Sequence, residues 1–479
     1  MEIIVGGLIL LLTFVVHGND NVQIIKSTTF VILSQPDSYH VKLASDCKLR
    51  LTKALKDSKI DAKAIVTTEN ELKYHGSWTI FPVLTQLANK LKLVSKWVVF
   101  LDPQSSVNID ALAILLAKHY NKHFIGHGLE DREHTIIHHF KDPKSLLYPN
   151  FEAGFILSGS LINDISSSIA LHGNGLDWLP KDFSIDAQYE LALALKERND
   201  RHVLIHEPLI CIKSNDGCAI FPKAGQSECG ATDESVSQLS ARVLFAVKTC
   251  KKYHEDRLPV IQGTWAKSAQ KIMYFSEVSD ERYKTTHLKG VRNTERGHCH
   301  KTMSIIEHFH EMSINEELDW LIIADDDTIL SVQKLLQYLH CYDPTENIHL
   351  GQRYGYKVSS GNHGYDYITG GGGMIFSKAM VNKIVRSPQC SCGSPDSPDD
   401  MHLGMCMSSI GETLVHSPRF HQARPEDYAE NYLSNQDPIS FHKFWNTDPV
   451  KMYNEWFRQA DRNLKIFKIK LESLNHNEL

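Results

Sequence analysis

Three adjacent carboxylates, Asp325-Asp326-Asp327, close an apolar run that reads Trp-Leu-Ile-Ile-Ala over residues 320–324. Like charges side by side repel, and a carboxylate at the end of a buried strand needs water or a cation. Open α/β sheets place ligands at the carboxyl ends of their strands. Hard oxygen ligands at that place suit Mn²⁺ or Mg²⁺, which would relieve the repulsion and hold a diphosphate. The plainer reading is a solvated acidic turn ahead of the next helix. Asp399-Asp400 follow Ser397-Pro398. Carboxylates there can cap a helix, and one of them can act as a general base. Gly370-Gly371-Gly372-Gly373 precede the strand-like run Met374-Ile375-Phe376. Glycine is useful where backbone must approach a ligand closely. Two histidines, His416 and His421, stand in His-Ser-Pro-Arg-Phe-His. A neutral imidazole could complete a metal shell begun by Asp327, or serve only the core.

The elements that must position these groups occur twice. Trp97-Val-Val-Phe-Leu101 ends at Asp102 as Trp320-Leu-Ile-Ile-Ala324 ends at Asp325. Ile109, Leu112, Ala113 and Leu116 lie at helical spacing after the first, and Val332, Leu335, Leu336 and Leu339 after the second. Further blocks follow in the same order. Phe124-Ile125-Gly126 parallels His349-Leu350-Gly351, and Phe151–Ser158 parallels Thr369–Ser377. Ser184-Ile185-Asp186 parallels Ser397-Pro398-Asp399, and His206-Glu207-Pro208 parallels His416-Ser417-Pro418. The expectation is two copies of one α/β domain, each with a mainly parallel central sheet. The first copy keeps one carboxylate, in Asp102-Pro103-Gln104, and is expected to hold no metal. His206 matches His416, whereas His421 falls opposite Cys211, which makes His421 the better ligand candidate. Residues 215–240 read as a linker, with Cys218 and Cys229 as possible pins.

The whole chain has 479 residues, 42% hydrophobic and 23% charged, which predicts ordered globular material in two domains. A net charge of −6 excludes the basic excess that a nucleic-acid partner would call for. The apolar run Ile3–Val16 is short for a membrane span and suits a secretory signal over residues 1–18. The chain ends His476-Asn477-Glu478-Leu479, close to the retrieval signals read by an endoplasmic reticulum receptor. Ten cysteines fit that oxidising lumen, and disulfides are expected among them.

Taken together, the C-terminal half resembles the Fringe-type β-1,3-glycosyltransferases. The pieces are Ala246-Val247-Lys248-Thr249, Gln262-Gly263-Thr264-Trp265, the Asp325–Asp327 triplet, Thr369-Gly370-Gly371, Pro398-Asp399-Asp400 and Phe420-His421. The duplication and the terminal Glu-Leu resemble the lumenal glucosyltransferase branch of that family, which extends O-linked fucose on thrombospondin type-1 repeats. The resemblance implies two tandem GT-A-like, Rossmann-like domains, a degenerate one over 25–214 and a catalytic one over 241–470. It implies an inverting transfer from UDP-glucose to an O-fucosylated repeat. Asp327 and His421 would ligate Mn²⁺ with Asp325 close by, and Asp400 would be the base with Asp399 in reserve. Asp326, Gly371, Gly372, Thr264 and Trp265 would lie against substrate. Asn477 and Gly373 depart from the family's usual pattern. An N-acetylglucosaminyltransferase, a lumenal lectin and a phosphohydrolase are the alternatives.

Overall fold

The computed structural model describes residues 22–464, apart from 61–64, 73–74, 91–93, 173–178, 181, 216, 224–227, 360–363 and 445. The expected signal and the retrieval-like tail lie outside the described residues. Among the described residues no helix is long and apolar enough to cross a membrane. The chain divides into two compact units. One comprises the residues up to His134, Phe140–Gly225 and Lys357–Gly364; the other comprises Thr135–His139, Gln226–Tyr356 and the residues from Tyr365 onward.

The main sheet of the first unit is built from β1 (Thr28–Ile32), β2 (Ile65–Thr67), β3 (Trp97–Leu101), β4 (Phe124–Gly126), β5 (Phe155–Ser158) and β6 (Ile205–His206). They form one six-stranded sheet in the order β6-β4-β5-β3-β1-β2. Every residue of β1, β3 and β5 is buried, which is why these runs carry no charge and are mostly apolar instead of alternating.

The second unit contains β7 (Val243–Lys248), β8 (Lys271–Ser276), β9 (Thr285–His287), β10 (Trp320–Asp325), β11 (Thr328–Leu330), β12 (His349–Gly351), β13 (Met374–Ser377), β14 (Val415–His416) and β15 (Ser440–His442). Seven of them build a sheet in the order β9-β8-β7-β10-β13-β12-β14. Leaving out the edge strand β9, this is the strand order of the first unit. Directions agree as well: β5 and β13 each run antiparallel to both of their neighbours, and the other pairs are parallel. Four of the repeated sequence blocks fall on matching strands, β3/β10, β4/β12, β5/β13 and β6/β14, and the other two fall on or at the start of matching helices. The reversed strand is the departure from the simpler parallel sheet that the sequence suggested. Its consequence is local: β13 begins where β10 ends, with Met374 opposite Ile323, so the four glycines arrive at the carboxylate end of β10.

One face of the second sheet, with Leu244, Ala246, Leu321, Ile323 and Phe376, packs on Ile305, Ile306 and Phe309 of helix Cys299–Asn315 and on Leu403 and Met407 of helix Asp399–Ser409. Fully burying each such side chain contributes about 1.5–3 kcal/mol. This packing fixes where the two aspartates at the start of the second helix stand.

The expected linker is not loop throughout. Thr232 and Ser235 form a reciprocal cap on helix Asp233–Ser240. Cys218 and Cys229 do not pair with each other: Cys211 bonds Cys218, and Cys229 bonds Cys341. Cys390–Cys406 links the segments on either side of Asp399, Cys299–Cys392 ties the segment before it to the start of helix Cys299–Asn315, and Cys47 and Cys250 are buried thiols.

Candidate active site

The turn after β10 is held from several sides. The Thr328 hydroxyl accepts the Asp325 amide N–H at 3.1 Å and donates to the Gly371 carbonyl at 2.8 Å. Beneath it the Trp265 indole N–H donates to the Thr328 carbonyl at 3.1 Å. Trp265 is completely buried, 5.8 Å from the Phe245 ring, and Thr264 turns its hydroxyl onto the Val260 carbonyl. The family resemblance sets these two in the donor half, lining the nucleotide, with the core as the equal alternative for Trp265. The structure makes Trp265 a core residue that supports the acidic turn, because a large indole with one donor fits best where both needs are met.

The three carboxylates have different partners. Asp326 turns inward, accepting the Thr249 hydroxyl at 2.7 Å and Arg257 at 2.6 Å. Burial raises its pKa to about 6 against those two partners. Burial also pushes Asp327 up, but the His442 hydrogen bond and the charges of His442 and Arg257 outweigh it and hold the carboxyl below its usual range. Arg257 reaches Asp327 at 2.9 Å while lying 3.8 Å over the Tyr253 ring.

Asp325, Asp327 and His442 bring one ligand atom each to within 4.8 Å of one another. His442 Nε2 lies 2.9 Å from Asp327 and 3.9 Å from Asp325. Its Nδ1 lies 3.1 Å from the Gln422 carbonyl, so that nitrogen donates and Nε2 faces the carboxylates. Two carboxylate oxygens and an imidazole oriented from behind fit a divalent ion such as Mn²⁺.

The imidazole there is not the expected one. His421 is buried, with Nδ1 3.1 Å from the Ser440 carbonyl and Nε2 3.2 Å from the Gln436 amide oxygen, and its ring stacks on Phe441 at 4.7 Å. Burial drives its pKa down to about 4, so it is a neutral core histidine. His442 comes in on β15, which pairs with β11 so that Thr328 faces His442. Phe420-His421 and Phe441-His442 are the same dipeptide, and alternation over Ser440-Phe441-His442 was the available signal. His416 Nδ1 accepts the Arg353 N–H, as His206 Nδ1 accepts that of Gly128, so the matched histidines share a backbone role. Accordingly, His442→Ala should weaken Mn²⁺ binding by more than about 100-fold in a calorimetric titration. His421→Ala should lower the melting temperature and leave Mn²⁺ affinity within about threefold, the scatter expected of a residue outside the metal shell.

The glycine turn closes over His442. A Cβ on Gly371 would lie 2.3 Å from the His442 ring, so only glycine lets the imidazole reach the carboxylates. Gly372 donates to the Gln422 side chain at 3.0 Å and Gly373, at φ +99°, closes the turn onto the Gly370 carbonyl. Gly371→Ala should therefore reproduce the metal defect of His442→Ala without touching a ligand; normal Mn²⁺ affinity in that variant would refute the steric argument.

Asp399 and Asp400 open the helix Asp399–Ser409. Asp399 is in close ion contact with Lys248 and accepts the Thr302 hydroxyl at 2.5 Å. Burial would raise its pKa, but Lys248 outweighs it and holds it at about 2. Asp400 is raised to about 6 by burial and by the charge of Asp399, against the backbone N–H of Met401 at 2.7 Å, the charge of Lys248 and the backbone of Gly370. Asp399 is neutralised and enclosed. Asp400 retains proton affinity, so it is the stronger candidate for a base.

In the first unit Asp102 is half-buried, desolvation raises its pKa to about 6, and it accepts the Gln104 N–H at 2.7 Å. Among the described residues two clusters have metal-ligand spacing. One is Asp325/Asp327/His442, and the other is Cys299/Cys392/His402, whose cysteines are joined as a disulfide.

A family model described as Fringe-like matches residues 238–471. The β-1,3-glucosyltransferase of Homo sapiens is 38% identical over 450 residues, covering 92% of this chain and 86% of that protein. The mouse β-1,3-glucosyltransferase is 38% identical over 445 residues, 92% of this chain and 88% of its own. The β-1,3-N-acetylglucosaminyltransferase lunatic fringe of Xenopus laevis is 25% identical over 246 residues, 47% of this chain and 64% of its own.

Proposed function

As the chain belongs to the Fringe-like β-1,3-glycosyltransferases, we propose that it transfers glucose from UDP-glucose, with inversion, onto the 3-hydroxyl of O-linked fucose on thrombospondin type-1 repeats. The observation that carries the reaction type is the metal-type cluster Asp325/Asp327/His442 on one side of the glycine turn and the high-pKa carboxylate Asp400 on the other. The likeness to two proteins named β-1,3-glucosyltransferase supports glucose as the sugar.

Asp325, Asp327 and His442 would hold a divalent ion, Mn²⁺ or Mg²⁺. When bound, that ion supplies Lewis-acid stabilisation of the charge that grows on the departing UDP. Arg257, steadied on Tyr253 and Asp326, adds a fixed cation beside the same carboxylates. Asp400 accepts the proton of the acceptor hydroxyl as that oxygen forms its bond to glucose C1 and the bond from C1 to UDP breaks. The backbone of Gly370 faces Asp400 and favours its ionised form. The two sheets have matching strand orders, and we assign both units the GT-A architecture, the first as a non-catalytic copy that contributes to acceptor binding or to stability.

The decisive test combines the full-length chain, Mn²⁺ and an O-fucosylated repeat with each UDP-sugar in turn, and reads the added mass. A hexose from UDP-glucose alone, abolished by EDTA, is expected. An N-acetylhexosamine would make it a Fringe-like N-acetylglucosaminyltransferase, and no transfer from any donor would overturn the reading. The chain's two ends support residence in the endoplasmic reticulum lumen. Deleting residues 476–479 should divert the expressed protein into the medium; retention of the truncated chain would exclude the tail as the retrieval signal.

A further inference from the structure

Lys248 is buried at the end of β7, directly across the sheet from Asp325. Its ammonium lies 3.1 Å from Asp325 Oδ1 and makes a closer contact with Asp399 Oδ2. Burial lowers its pKa, but the two carboxylates outweigh burial and hold the ammonium above its usual value. A buried cation is retained only with good partners, and removing it would leave two carboxylates uncompensated. We propose that Lys248 is a positioning residue of the transfer reaction, the strut that ties the metal-side carboxylate Asp325 to the helix carrying the base. The proposal rests on the reading of Asp400 as that base.

Three features give the strut its purpose. With Oδ1 of Asp325 taken by Lys248, Oδ2 faces His442. With Asp399 fixed by Lys248 and by Thr302, the first turn of the helix is pinned and the next side chain, Asp400, is presented to Gly370. A second buried lysine, Lys301, braces the same strand end by donating to the Thr249 carbonyl at 2.7 Å. The first unit supplies an internal contrast. Thr28 of β1 pairs with Trp97, and Val243 of β7 pairs with Trp320, so Leu33 stands where Lys248 does. There the counterpart of Asp399, Asp186, caps its own helix by accepting the Gln188 N–H at 2.9 Å. Leucine carries no charge, so an ion link like that of Lys248 to Asp399 cannot form from this position in the first unit.

The test uses the full-length chain with UDP-glucose, Mn²⁺ and the fucosylated repeat. Lys248→Met should lower kcat by about 10- to 100-fold, as removal of a group that orients ligands does. UDP affinity should stay within about threefold of wild type, and any rise in the Mn²⁺ half-saturation should be smaller than the fall in kcat, because Lys248 holds Asp325 without itself being a ligand. Lys248→Arg, which keeps the charge, should recover most of the rate. The neutral pair Lys248→Met/Asp399→Asn should be no slower than Lys248→Met alone, because both changes break one link. Full activity in Lys248→Met, a loss confined to UDP or Mn²⁺ binding, or losses that multiply in the double variant would each overturn the proposal. A wild-type chain that transfers nothing would sink the functional reading itself, which separates the two failures.

Discussion

Alanine in place of Asp327 is expected to abolish transfer, with kcat falling by at least about 10³-fold. The residue belongs to the metal-type cluster, holds His442 Nε2 at 2.9 Å and anchors Arg257 at 2.9 Å. One substitution therefore removes a ligand oxygen and releases the imidazole and the guanidinium that flank it. The fold should survive. Asp327 ends no helix and its side chain is about a quarter exposed, and deleting one of three crowded carboxylates relieves repulsion. A melting temperature near the wild type, no detectable product and weakened Mn²⁺ binding are the expected set. Retained transfer with normal Mn²⁺ dependence would remove Asp327 from the site. Asp326→Ala should behave differently: its partners are Thr249 and Arg257, so lost stability would accompany any lost rate.

Much of this arrangement could be read from the residues, and the exceptions share a cause. The runs at 97–101 and 320–324 are strands because continuous apolar residues are buried on both faces, and periodicity reports that directly. The acidic turn, the glycines and the Asp399-Asp400 pair were visible because each is local in the chain. Reversal of β5 and β13 was hidden, since strand direction depends on partners distant in sequence. His442 was missed for the same reason: it reaches the carboxylates through the pairing of β15 with β11, and nothing near it in the chain hints at a metal. The comparison of the two copies pointed instead to His421, because a residue absent from the degenerate copy looked functional. Its burial against Phe441 shows that lack of a counterpart can also reflect different packing. Lys248 stood in the sequence as one letter of a motif. Its meaning depends on Asp325 across the sheet and Asp399 from another element. The cap at Thr232-Asp-Glu-Ser235 was legible and is the local signal that a helix, not a linker, begins there.

Asparagine at Asp400 separates base catalysis from binding. The amide nearly matches the carboxylate in shape but cannot take the acceptor proton at neutral pH. Loss of a general base lowers rates by about 10²–10⁴-fold. UDP and Mn²⁺ binding should persist, because Asp400 touches the backbone of Met401 and Gly370 and none of the cluster residues. The wild-type pH profile carries the same signature. Burial and the Asp399 charge raise the Asp400 pKa to about 6, and the working form is the ionised one. Activity should therefore be level above about pH 7 and fall about tenfold for each unit below pH 6. Neutralising the neighbour sharpens the assignment. In Asp399→Asn the repulsion on Asp400 disappears, so the midpoint of the acid limb should move down even as the released helix lowers the maximal rate. An acid limb that stays in place in Asp399→Asn, or that persists in whatever activity Asp400→Asn retains, would assign the titrating base to another residue.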